Sequence, residues 1–199
     1  VGSLEGLAAI SRGGAHMSGV HLFDPETGEY NLTFIRKYMP ASKPIIVHFL
    51  RREQGLIVRR GNPLGIGGFE DLARKDVRFV NRQPGSGTRV LLDHHLERLG
   101  IDPGIIAGYE DCLSTHTEVA SAVRSGRADA GLGVRAAAAD LGFVPVAVER
   151  YDLVVRKEYF YTEPLQKCMD VMRSRRFRDR VTEMGGYDAA DTGAVLSWG

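Results

Sequence analysis

Cysteine is scarce in this sequence: Cys112 and Cys168 are its only two. Two thiols cannot build a multi-bridge framework or a four-cysteine metal site. No stretch approaches the ~18 apolar residues that a membrane-spanning helix needs. A dominant charge is missing too, since 26 Lys and Arg face 25 Asp and Glu for a net +1. That balance removes the bulk electrostatic case for a polyanionic partner, so the chain itself is not expected to bind nucleic acid. No signal-peptide pattern opens the chain, which points to the cytoplasm. It begins on Val1 rather than Met, so the natural start is expected to lie elsewhere.

Catalytic and metal signatures are also lacking. There is no H-E-x-x-H and no C-x-x-C, and His94-His95 sits mid-helix, where adjacent residues do not share a face. No lysine follows the glycines at 85 and 87, which excludes a Walker loop. Gly65-Ile66-Gly67-Gly68 does not stand between a strand and a long helix, so it is no dinucleotide fingerprint. The G-x-S-x-G elbow of a hydrolase is absent as well. These gaps argue against an enzyme and leave no cofactor to assign.

What is present is a foldable chain. Hydrophobic residues make up 43% and charged residues 26%, enough for a core. The length suits one large domain or two small lobes. Glycine is frequent, 24 of 199, and gathers at turns and helix ends. Ser3 reads as the N-cap of a first helix stopped by Gly13-Gly14. Ala15 to Leu22 reads as a strand. Asn31 is placed to cap a helix holding Phe34, Ile35 and Tyr38. Pro44 to Leu50 and Leu56 to Val58 read as two strands flanking the polar Arg51-Arg52-Glu53-Gln54. Val144 to Val148 and Tyr151 to Val155 alternate as two more. Strands alternating with helices predict an α/β fold with mainly parallel sheets.

The most informative segment is Asn81-Arg82-Gln83-Pro84-Gly85-Ser86-Gly87-Thr88-Arg89. It lies between a predicted strand and a helix whose Leu92, Leu96 and Leu99 share a face. The glycines let backbone approach a ligand, Ser86 and Thr88 bring hydroxyls, and the first helical turn brings N–H groups at the positive end of the dipole. Together they suit a small oxyanion. The same residues also read as a glycine-rich turn with an ordinary cap. Two further helix starts are similar: Gly2-Ser3, and Thr115-His116-Thr117, where Thr115 and Glu118 form a capping-box pair. His21, near the carboxyl end of the first strand, is a weaker candidate. Arg173, Arg175, Arg176, Arg178 and Arg180 read as a solvated helix face.

Several segments resemble the type II periplasmic-binding-protein superfamily. They are Asn62-Pro63 with Phe69-Glu70-Asp71-Leu72-Ala73, Val77 to Arg82, Gly85-Ser86-Gly87-Thr88-Arg89, and Gly126-Arg127-Ala128-Asp129-Ala130-Gly131-Leu132-Gly133. Val1-Gly2-Ser3, His16 to Tyr30 and Tyr187 resemble more narrowly the binding-protein-like domain attached to molybdopterin-biosynthesis proteins and helix-turn-helix regulators. The resemblance implies two lobes with a ligand cleft and two hinge crossings, related to proteins that hold molybdate or tungstate by hydroxyls and N–H groups at helix starts. Carried over, the ligand positions are Gly2, Ser3, His21, Gly85, Ser86, Gly87, Thr88, Thr115, His116 and Thr117. Arg89 either reaches the ligand or forms a structural ion pair.

Lobe one is expected over residues 1–76 plus 155–199, and lobe two over 77–154. No strand precedes Gly2-Ser3, so the chain reads as a piece of a longer polypeptide with an upstream strand and an attached DNA-binding or molybdopterin-related module. The leading functional expectation is non-catalytic binding of molybdate or tungstate. The alternatives are a sensor domain for a small organic ligand and a part of a molybdenum-cofactor biosynthesis enzyme.

Overall fold

The structure is a computed structural model and describes residues 2–40 and 42–196. In chain order its elements begin with α1 (Ser3–Ser11), β1 (Met17–Val20), α2 (Leu32–Tyr38), β2 (Ile45–Val58), β3 (Phe79–Arg82), α3 (Gly87–Leu99), β4 (Cys112–Leu113), α4 (His116–Arg124) and β5 (Ala130–Val134). They continue with α5 (Arg135–Ala138), β6 (Gly142–Val155), α6 (Lys157–Phe160), α7 (Glu163–Arg173), α8 (Arg175–Met184), β7 (Tyr187–Asp188) and β8 (Val195–Leu196). The fold is α/β. Its backbone divides into two compact units, Val1–Arg52 with Glu149–Gly199, and Glu53–Val148.

The boundaries of these units fall inside strands, β2 and β6. Each of these is one strand of 14 residues where the sequence pattern suggests two. The polar residues that interrupt β2 do not break it, because their side chains find distant partners. The sheet is also mixed, not mainly parallel. β1 with β6, and β2 with β5, β7 and β8, pair antiparallel; β3 pairs parallel with β4 and β5. Apolar alternation specifies that a strand forms but not the direction of its neighbour.

In the first unit, α1 buries Leu7 and Ile10, and β1 lies along the end of β6 from Met17–Val155 to Val20–Asp152. Val47, Leu153, Val155, Phe160, Met169 and Met172 form its main apolar cluster. Two capping expectations change here. Gly2 is the N-cap residue of α1 and Ser3 is already helical. Asn31 precedes α2 with φ of 71°, but its side chain serves other partners: Oδ1 accepts from Leu22 N–H at 2.7 Å and Nδ2 donates to Asp152 at 2.7 Å.

Asp24 ties the turn before α2. Its carboxylate accepts from the Thr33 hydroxyl at 2.5 Å and from Glu26 N–H at 3.0 Å. The Thr33 bond, then the Glu26 and Thr27 contacts, hold its pKa below the ordinary value against the opposing effect of burial. A carboxyl whose folded pKa is depressed adds stability above its unfolded pKa, near ~3.9, and loses it as pH falls through the folded value. Asp24→Asn is therefore expected to cost about 1–2 kcal/mol at pH 7 and to flatten part of the acid limb below about pH 4. Urea midpoints from pH 7 to pH 3 check this; an acid limb unchanged by the substitution contradicts it.

In the second unit, β5 is buried along its whole length because both faces are covered. Leu56, Phe79, Leu92, Leu96 and Leu132 pack on one side; Ile57, Val80, Val119 and Val123 pack on the other. Gly131 lets α4 lie against the strand, since a Cβ there would come within 2.5 Å of Val119 Cγ1. These layers fix the end of β3, from which the next helix departs.

Candidate functional site

The chain leaves β3 at Arg82 and turns through Gly85, whose φ of 80° suits glycine, into α3. Ser86 is the N-cap residue, and its Oγ accepts from Arg89 N–H at 3.2 Å. Val90 N–H reaches Ser86 O, the first intrahelical bond. The amides of Gly87 and Thr88 have no acceptor among the described residues, although both residues are buried. Thr88 Oγ1 accepts from the buried Gln54 amide at 3.1 Å. Both hydroxyls thus spend a lone pair on an internal donor, which leaves their protons to donate elsewhere. No acidic residue lies in the first turn.

Arg89 forms an ion pair along its own helix. Its Nε meets both Asp93 oxygens, at 2.9 and 3.1 Å, and its guanidinium lies 4.0 Å over the Tyr109 ring. Tyr109 donates to Asp93 at 2.6 Å. Burial and this bond push the Tyr109 phenol above its usual pKa.

The α4 start differs. Thr115 Oγ1 accepts from Glu118 N–H at 3.1 Å, and Glu118 Oε2 accepts from the amides of Ser114 and Thr115 at 2.7 and 3.0 Å. A carboxylate therefore already sits on this helix tip, beside His116 and the exposed Thr117. Arg82 pins the preceding loop, donating to the carbonyls of Leu113 and Ser114 and lying 3.0 Å from His116 Nδ1.

In the first unit, the structure brings Ser3 and His21 together: Ser3 Oγ accepts from His21 N–H at 3.3 Å. The amides of Ser3, Leu4 and Glu5 have no acceptor among the described residues, but Glu5 places an acid in this first turn. His21 Nδ1 lies 3.2 Å from the buried Glu149, and Glu149 also pairs with Arg52. The His21 ring is thus committed on one side to a carboxylate.

Sequence reasoning missed Gln54, Arg82, Arg52 and Glu149. A polar run inside two β-branched runs was the available signal for Arg52 and Gln54; nothing local marks Glu149. Among the described residues no helix is long and apolar enough to cross a membrane.

Residues 1–173 match the PBP superfamily domain. The sequence is 37% identical over 198 residues to the uncharacterised protein YvgK of Bacillus subtilis (strain 168), covering 98% of this chain. The chain spans 63% of that relative's length. The tungstate ABC transporter structure from Geobacter sulfurreducens aligns over 92% of this chain and 83% of its own, with a TM-score of 0.63 and 16% identity. The CcmR regulatory domain of Synechocystis PCC6803, in complex with 2-PG, aligns over 86% and 78%, with a TM-score of 0.60 and 16% identity. At this identity the structural matches speak for the fold.

Proposed function

Since the chain belongs to the PBP superfamily, we propose that it is a non-catalytic domain binding a small, fully deprotonated oxyanion, molybdate or tungstate before others. One observation carries the reading: the amides of Gly87 and Thr88, unmet among the described residues, stand beside two hydroxyls with protons to give and no acid in the turn. A helix tip of this kind favours negative charge by its dipole and its N–H groups together, without a cationic partner. A set made of donors alone also selects among oxyanions. Phosphate carries at least one proton at neutral pH and needs an acceptor for it; molybdate and tungstate do not.

Within the second unit, Glu118 makes Thr115–Thr117 lesser contributors under this reading; in the first unit, the α1 start with Ser3 carries a donor set of its own, and Glu149 already engages His21. The domain is then the sensing part of a longer protein that carries a DNA-binding or molybdopterin-related module. A tungstate protein and a regulatory domain among the proteins of similar fold are consistent with that role.

Calorimetric titration at pH 7.5 with molybdate, tungstate, sulfate and phosphate tests it. The expected result is a Kd near or below ~1 µM for molybdate and tungstate, about −8 kcal/mol, with sulfate weaker and phosphate silent. No heat with any of the four, or phosphate as tight as molybdate, overturns it.

A further inference from the structure

β2 carries a buried amide where an aliphatic side chain would cost less. Gln54 is completely buried, its backbone lies opposite Val134 of β5, and the strand continues through Leu56, Ile57 and Val58, all buried. Taking an amide out of water is unfavourable unless it is hydrogen-bonded. Gln54 Nε2 donates to Thr88 Oγ1 at 3.1 Å, across 34 positions of sequence. Both residues belong to the second unit. Thr88 is itself buried and stands in the first turn of α3, just past the Ser86 cap.

A threonine hydroxyl can give or accept a hydrogen bond, and its proton turns to suit. Left to itself, such a group is not committed to an anion. An amide nitrogen has only protons to offer. Placed against one side of Oγ1, it bars the Thr88 proton from that side and holds it on the sides away from Gln54. We propose that Gln54 is a positioning residue of the oxyanion site: it orients the Thr88 hydroxyl as a donor, so that this proton is ordered on folding rather than on binding. The inference rests on the oxyanion reading of α3 and adds to it a residue from β2. Donors set in advance bind more tightly, because less freedom is lost when the ligand arrives.

A double-mutant cycle read by calorimetry with molybdate tests the assignment. Gln54→Met keeps the length of the side chain and removes the donor. It is expected to weaken molybdate at least about fivefold in the otherwise unaltered chain, the worth of roughly one neutral hydrogen bond. In a Thr88→Val background the same change is expected to alter affinity less than about twofold, since no hydroxyl is left to orient. A purely structural effect of Gln54 would instead weaken molybdate by the same factor in both backgrounds. Gln54→Asn, whose shorter arm draws the amide back from Oγ1, takes the place of Gln54→Met should that variant not fold. Unaltered protein that gives no heat with molybdate overturns the oxyanion reading and this inference together. Binding by the unaltered protein, with a Gln54 variant that binds as tightly or weakens equally in both backgrounds, overturns this inference alone.

Discussion

Replacing Ser86 by Ala and Thr88 by Val together is expected, if α3 holds the proposed oxyanion, to lower affinity for molybdate by at least about two orders of magnitude. A hydrogen bond to a charged group is worth about 1.5–3 kcal/mol, and each 1.4 kcal/mol is a factor of ten. Each single variant should therefore lose roughly tenfold to a hundredfold. Both changes also touch the fold. Ser86→Ala removes the cap on Arg89 N–H, worth about 1 kcal/mol, and Thr88→Val removes the hydroxyl that accepts from the buried Gln54 amide. Thr88→Ser separates the two effects, since it restores the hydroxyl and should recover most of the binding. Thr117→Val on α4 is the contrast and should change affinity by less than about threefold, because Glu118 already serves that helix tip. Calorimetry with thermal melts reads all of these, and full affinity in the folded double variant would remove α3 from the binding site.

Asp152→Ala should be the most destabilising single polar change in the first unit. This carboxylate is completely buried, accepts from Asn31 Nδ2 at 2.7 Å and from Arg150 Nε at 2.9 Å, and lies 3.2 Å from His48 Nδ1. Arg150 in turn donates to Tyr30 O at 2.7 Å. Removing Asp152 takes the buried acceptor from Arg150, which keeps Tyr30 O and Glu29, and from the Asn31 amide and the His48 ring around an emptied centre. Breaking a buried ion pair from one side costs about 3–5 kcal/mol. With a urea slope of ~2 kcal/mol/M, the midpoint should fall by about 2 M. A fall of less than about 0.5 M would mean that the network contributes little.

The parts of this fold that can be read from the sequence are those encoded within one or two turns. Gly85-Ser86-Gly87-Thr88 marks the α3 start because turn, cap and first helical residue are neighbours. Gly100 marks its end, with φ of 65° as the stop rule requires. Thr115 and Glu118 mark α4 for the same reason. Features that depend on distant partners are hidden. Arg51 to Gln54 resembles a loop between two strands until Glu149, Arg135 and Thr88 are seen to receive Arg52, Glu53 and Gln54. Asn31 has the residue type and place of a helix cap, yet it serves Asp152, 121 positions away. Periodicity is blind to such pairings, and for the same reason it is silent on strand direction and on where one unit ends.

The division of the chain also sets a timetable for synthesis. Glu53–Val148 is one uninterrupted stretch, so every contact it makes with itself is available soon after Val148 leaves the ribosome. The other unit is assembled from two stretches separated by all of that insertion. At translation rates of roughly 5–20 residues per second, its leading stretch waits on the order of 5–20 s for the first of its later partners. Met17 to Val20 spend that interval with their Asp152–Val155 ladder still unmade. Nascent chains halted soon after Val148 should therefore already protect the insertion from protease, while the leading stretch is cut.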